Sequence, residues 1–515
     1  MNSKFFRKNF QTKTGFMIIH SVIFGSIAIV IISALVVWAG TNLKVARSSV
    51  LKEKAIQIAE AGVDYYRWHL AHAPSDFTDG TGQPGPYAHD FYDKDDVLIG
   101  SFTLNITPPP AGSTIVAIES TGEIIEDSSV ARTIKTVLAI PSLAKFAFVS
   151  NSDMRFGQGT EVFGPIHSNG GIRFDGVAHN IVSSAKPDYN DPDHSGANEF
   201  GVHTHVNVPP ATGVNDAFRP LEAPPTTPVP IRTDVFESGR QFPVADVDFV
   251  GLTNDLAQIK ADAQASGRYF AGSGALGYKL IFNSVVSGTD TFTVYRINNL
   301  RAPPSGCSNS QNQTGWGTWS IGTGGSALTL IGTYPIPANG LIFMEDHVWV
   351  EGTISDTRVT VASGRFPDNS STRTSITVNA NINYTYTDGR DVIALISQNN
   401  INVGLFSADV LDIDAALLAQ NGRVGRYYYG TSCRSGGSNY EYRRQQITLY
   451  GMIATSQRYG FTWTGSNYNC GGSIGYIGSG YCVRNITYDA NLLYGPPPSF
   501  PLTSDQYTTI SWEEI

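Results

Sequence analysis

With 515 residues, a net charge of −9 and only 15% charged side chains, the chain lacks the basic excess expected of a nucleic-acid binder. Its length suits two to four domains, and 41% hydrophobic residues supply ample core. The 52 glycines and heavy use of Tyr, Asn, Ser and Thr suit a turn-rich, mainly β protein, and no P-loop or H-E-x-x-H occurs.

Lys4, Arg7, Lys8 and Lys13 precede a run from Gly15 to Gly40 that contains no acid, Lys or Arg. Such a run crosses a bilayer as one helix, which needs about 20 apolar residues. The preceding cations place the N-terminus on the cytoplasmic side. A cleaved secretory signal has a shorter apolar core of about 7–15 residues. Here the helical pattern continues, with Ala59, Val63, Tyr66 and Leu70 at helical spacing. One helix over 16–70 is therefore expected, apolar in its first half and amphipathic in its second. At about 1.5 Å per residue it is roughly 80 Å long.

Residues 71–97 read as a polar, turn-rich connection. Gly100–Thr107, Thr114–Ser120 and Ala131–Ile140 read as three strands, enough for a small antiparallel β domain over 71–142. Over 143–340 the pattern is β-rich, with a Pro-rich polar excursion from Lys186 to Pro230. One helix near 246–266 interrupts it, carrying Leu252, Leu256, Ile259 and Ala263 and ending at Gly267. A hairpin around Ser287-Gly288 joins strands at Tyr278–Phe282 and Phe292–Ile297. Over 341–515, Ile342, Val359, Ile376, Ile393 and Leu411 recur at intervals of 17 or 18 residues. Met344, Val361, Val378, Leu395 and Ile413 repeat the spacing two positions later. Stacked short strands fit this pattern and point to a β-helix or β-solenoid-like domain; a β-sandwich or jelly roll is the alternative. The fold class is thus α+β, mainly β: a long transmembrane helix, a small antiparallel sheet and a solenoid-like ectodomain.

Two segments carry a family resemblance. Lys13-Thr14-Gly15 ends a basic leader (residues 1–15) directly before Phe16, and Ile58-Ala59-Glu60-Ala61-Gly62 follows within the helix. Both resemble the type IV pilin family, in particular PilX-like minor pilins and the pseudopilins of type II secretion. Phrases farther along are similar to large ectodomains behind PilX-type N-termini: Gly164-Pro165-Ile166-His167-Ser168-Asn169-Gly170, Asp391–Ser397, Ile413–Gln420 and Tyr488–Leu493. The resemblance implies a prepilin peptidase that cuts between Gly15 and Phe16. It implies a helix that packs with other pilin or pseudopilin subunits, and a role in filament assembly or adhesion. It places the ectodomain outside the cytoplasmic membrane or on a surface filament. His20 stands where most major pilins carry Glu, so the resemblance is to a minor or tip subunit. The competing expectation is a plain membrane anchor.

Candidate chemistry is sparse. His167, His179, His194, His203 and His205 fall among Asp188, Asn190, Asp191, Asp193 and Glu199. Asp188, Asp191 and Asp193 offer the oxygens that Ca²⁺ favours, and His203 and His205 with a carboxylate suit Zn²⁺. Calcium is the first expectation of the two, against a merely solvated polar loop; no other cofactor is expected. Asp412 and Asp414 share an outward strand face, and paired carboxylates can hydrolyse glycosides. A membrane-anchored enzyme or binding module acting on a surface glycan is therefore the rival to the filament subunit. Gly471-Gly472-Ser473-Ile474-Gly475 matches G-x-S-x-G but lacks the helix that a nucleophile elbow needs, so it reads as a loop. Tyr427-Tyr428-Tyr429 and Tyr459–Trp463 suit either recognition or capping of an open solenoid end. Four cysteines in an exported region suit two disulfides. Three pairings are possible; Cys470–Cys482, which closes the shortest loop and leaves Cys307 with Cys433, is the expected one.

Overall fold

The computed structural model describes residues 14–515 apart from 110–112, 208–213, 250, 286–287, 308–316, 435, 437–439, 472–474, 494 and 505, with the side chains of 14–16, 128 and 252–254 also left undescribed. Most of the expected leader therefore lies outside the described residues, as does the centre of the G-x-S-x-G match. The chain divides into two units, and the first contains both ends of the sequence: residues 1–107, 117–137 and 509–515.

The first unit is built on one helix, α1 (Thr14–His72). It is long and apolar enough to cross a membrane. Every large apolar side chain from Met17 to Val50 is exposed, for example Ile29 at 67% and Val37 at 68%. From Leu51 the character changes. Leu51, Ala55, Ile58, Ala59, Val63, Tyr66 and Leu70 are buried, a seam at spacings of three and four that one face of a helix presents. The seam meets a five-stranded sheet ordered Tyr87–Tyr92, Leu98–Thr107, Val116–Ile124, Asp127–Ala139, Thr508–Glu514. The first three strands pair antiparallel. Phe102, Leu104, Ile118 and Ile134 are buried. Gly62 lets the helix lie close, since a Cβ there would stand 2.3 Å from Ser120 Oγ and 2.8 Å from the Phe102 ring. Two of the five strands depart from the sequence expectation. Tyr87–Tyr92 forms inside the stretch read as a turn-rich connection, and Thr508–Glu514 adds a strand from the far end of the chain.

The second unit is mainly parallel β. One column of strands runs Arg268–Phe270, Leu341–Met344, Arg358–Ser363, Val392–Ser397 and then the C-terminal halves of Val410–Ala419 and Arg443–Thr455. It continues through Phe148–Ser150, Ile166–Ser168, Val182–Ser184 and Arg240–Gln241. Ile342, Val361, Leu395, Leu417, Ile453, Phe148, Ile166 and Val182 stand in register along it. All eight belong to one buried core. The opposite face, with Leu341, Phe343, Ala394, Ile396 and Leu418, is covered by Leu256, Ile259 and Ala263 of α2 (Leu252–Ala265). Burial on both faces is what a parallel sheet requires.

Two further columns belong to the same large sheet. One stacks Tyr278–Asn283, Val348–Ile354, Ile376–Thr377, Ile401–Val403 and Val424–Arg426. The other stacks the end of Val348–Ile354, Ile382–Tyr384, and the N-terminal parts of Val410–Ala419 and Arg443–Thr455 with Tyr476–Tyr488. The 17-residue spacing is therefore not the repeat of a single column. Ile342 and Val359 lie on the first, Ile376 on the second and Leu411 on the third. The hairpin forms as Tyr278–Asn283 against Thr291–Ile297, and Leu328–Pro335 extends it. Cys307 bonds Cys433, and Cys470 bonds Cys482.

Candidate metal centre

The polar excursion after Lys186 folds into a short hairpin. Asp188–Tyr189 pairs antiparallel with Glu199–Phe200, and the loop between them carries Asp191 and His194. The chain then enters Val202–His203, which pairs parallel with Ile172–Phe174, itself paired to Met154–Phe156. Thr204 and His205 follow. This path brings Asp191, His194, Glu199, His203 and His205 together, with one ligand atom from each within 4.8 Å of every other.

The geometry is tight and dry. Glu199 Oε2 lies 2.7 Å from His194 Nε2 and 3.2 Å from the Nε2 atoms of His203 and His205. Asp191 Oδ2 stands 3.5 Å from His194 Nε2 and 3.6 Å from His203 Nε2. None of the five side chains is more than 3% exposed. The far sides of two rings are fixed by backbone: His203 Nδ1 is 3.2 Å from Phe200 O, and His205 Nδ1 is 2.8 Å from Asn215 O. Glu199 Oε1 accepts the Arg219 N–H. Burial works to raise both carboxyls. For Asp191 it is outweighed by His203, the Asp193 N–H and Arg173, and for Glu199 by His205, His203 and the Arg219 N–H, so both lie below the ordinary carboxylate range. Fully buried Arg173, opposite His203 in the pairing, reaches Asp175 and Asp216 at 2.7 Å and comes within 3.5 Å of Asp191 Oδ2.

Of the residues singled out in the sequence, Asp191, His203 and His205 converge, whereas Asp188 and Asp193 do not. Asp188 accepts from Asn198 Nδ2, and Asp193 pairs with Arg155 and Arg458 at 3.3 and 2.6 Å. Both point away because the hairpin turns between them and Asp191. His194 and Glu199 complete the set; their signal was their position among the interleaved His and acids. Three imidazoles with two carboxylates differ from the oxygen cage that Ca²⁺ takes.

Asp412 and Asp414 occupy the third column. Asp414 Oδ2 accepts the Tyr384 N–H from the neighbouring strand. Burial, then the charges of Asp412 and Asp489, raises the Asp414 carboxyl despite that bond. The aromatic clusters divide between packing and surface. Tyr427, Tyr429 and Phe461 are buried at 3%, 0% and 1%. Tyr427 and Phe461 also line a cleft of about 880 Å³, together with Arg423, Arg458, Trp463 and Tyr476. Arg423 lies 4.8 Å from the Tyr427 ring centre and 5.3 Å from that of Trp463.

No protein-family model and no curated protein matches the chain. Among solved structures it is similar to the competence-associated pilin ComZ from Thermus thermophilus, at 10% identity and a TM-score of 0.29, over 90% of this chain and 97% of that one.

Proposed function

We propose that the protein is a minor, pilin-like subunit of a type IV pilus or type II secretion-like filament, acting in assembly or adhesion rather than catalysis. The observation that carries this is the division of α1. Its first half exposes every large apolar side chain from Met17 to Val50 and carries no acid, Lys or Arg between Met17 and Leu43, while its second half is covered by the sheet of its own unit. An exposed apolar surface of that length needs lipid or other helices around it. A plain anchor needs about 20 apolar residues and no further straight extension. Here α1 runs on without a break into the folded unit.

In this reading a prepilin peptidase cuts between Gly15 and Phe16, and the freed helix stays in the cytoplasmic membrane or packs among other subunits. The test is the mature N-terminus after co-expression with an active prepilin peptidase. A mature chain beginning at Phe16 is expected. Retention of Met1 to Gly15 would leave a tethered surface protein instead. The three columns of parallel strands support a β-solenoid ectodomain, because each strand pairs with the equivalent strand of the next layer. The cleft with Arg423, Trp463 and Tyr476 supports a binding role, with a surface glycan as the ligand class.

A polysaccharide-cleaving enzyme is the second reading, favoured by the raised Asp414 carboxyl beside Asp412. The bond from the Tyr384 N–H supports a structural role for Asp414 instead. Hydrolysis across a glycan panel, lost on replacing both aspartates by Asn in a folded protein, would reverse the preference.

A further inference from the structure

We infer that Asp191, His194, Glu199, His203 and His205 form a structural site for a zinc-class divalent ion that braces the hairpin of the Lys186–Pro230 excursion. The inference is independent of whether the chain joins a filament.

The proton positions carry the argument. A carbonyl oxygen only accepts, so the contacts of His203 Nδ1 with Phe200 O and of His205 Nδ1 with Asn215 O require Nδ1–H on both rings. A neutral ring with Nδ1–H bears a lone pair at Nε2. Both Nε2 atoms face Glu199, and His203 Nε2 also faces Asp191. Lone pairs would then point at carboxylate oxygens in a space closed to water. His203 Nε2 and Asp191 Oδ2 are in fact buried without a hydrogen-bond partner. Two arrangements relieve this. Either both rings carry a second proton and become buried cations, or one cation takes all the lone pairs. Burying charges is costly unless each is paired and hydrogen-bonded, and the unpartnered atoms show that pairing here is incomplete. A metal ion satisfies His203, His205, Glu199 and Asp191 at once. Backbone-anchored Nδ1–H with Nε2 turned inward is also the usual outer support of a metal-bound imidazole.

The donor set selects the ion. Zinc bonds of about 2.0–2.1 Å place tetrahedral ligands roughly 3.3 Å apart. The observed separations between nitrogen and oxygen atoms run from 2.7 to 3.6 Å. Imidazole nitrogen suits Zn²⁺ and its neighbours, not Ca²⁺ or Mg²⁺. Asp191 and Glu199 offset two positive charges, while Arg173 is answered by Asp175 and Asp216. Up to five protein donors and no solvent-facing position make the site structural. The excursion has reason to need one. Its apolar burial is thin, with Tyr189, Phe200, Val202 and Ala223 as its buried hydrophobic side chains among the described residues. Segments with little core are commonly held by metals or disulfides.

The test uses the full chain in detergent, stripped with EDTA and then given Zn²⁺, Co²⁺ or Ca²⁺ chloride alone. About one Zn²⁺ per chain is expected by elemental analysis. Zinc should raise the melting temperature where calcium does not, and Co²⁺ should give the visible absorption of a low-coordinate nitrogen–oxygen site. His203→Gln and His194→Gln should each weaken zinc retention by about tenfold or more. Should His203→Gln fail to fold, His194→Gln carries the test, because its ring sits on the hairpin loop. Folding is judged from amide exchange in Val392–Ser397. A chain that retains no zinc, gives no cobalt spectrum and melts unchanged after EDTA is an ion-free network of imidazoliums and carboxylates, which overturns the proposal. Preference for calcium, or zinc retention undiminished in both variants, overturns it equally.

Discussion

His347 shows how burial writes a pH dependence into a single side chain. Its Nδ1 accepts the Ser375 N–H at 3.0 Å, and the Trp319 ring meets its edge. Burial, only partly opposed by the Asp346 charge, lowers its pKa to about 4. The unfolded chain takes up this proton near pH 6.5, the folded chain only near 4, so acidification through that window favours unfolding. At its steepest one such group costs about 1.4 kcal/mol per pH unit. His347→Asn keeps an acceptor and does not titrate there. Its melting temperature should therefore fall less between pH 6.5 and 4 than that of the parent; parallel curves would refute the assignment. Legibility at this level was uneven. The residues of the candidate metal centre were visible as types, since imidazoles and acids crowded one stretch. Which of them converge was not visible, because the turn that excludes Asp188 and Asp193 depends on hydrogen bonds around Asp191 and Asn198.

α1 and its sheet pit two known effects against each other at Gly62. In an isolated helix, alanine is better than glycine by about 1 kcal/mol. Here the added Cβ meets Ser120 Oγ and the Phe102 ring inside contact distance. Overpacking costs about 1–3 kcal/mol, and the ring has less freedom to retreat than the hydroxyl. Gly62→Ala should thus destabilise the first unit despite its helix propensity, read as faster amide exchange in Val116–Ile124. Slower exchange would mean that the helix stands off the sheet. Both helices were readable from the sequence because their partners recur every three or four residues along one segment. So was the hairpin at Tyr278–Asn283, where local alternation and a glycine coincide. Tyr87–Tyr92 was not, since its alternation lies inside a stretch dominated by Gly and Pro. The columns were half readable. Period two shows which side chains face inward, but no local signal says which strand comes next to which.

The whole molecule closes its first unit with residues from the far end of the chain. Thr508–Glu514 covers the edge of Asp127–Ala139. Removing 508–515 should leave that edge unpaired, a template for association with other chains. Amide protection should fall across Asp127–Ala139 while Val392–Ser397 stays protected, and self-association should rise. Unchanged protection would show that the last strand is dispensable.

Phe148–Ser150 pairs on one side with Ile166–Ser168, close in sequence, and on the other with Ile453–Thr455, roughly three hundred residues later. During synthesis the early layers emerge long before the surface that will flank them. At about 5–20 residues per second, that strand edge waits on the order of 15 to 60 seconds for its neighbour to be made. A cell that makes this chain must keep a half-built ladder from joining the wrong strand for that interval. Translation speed thereby becomes part of what lets the protein reach its native form.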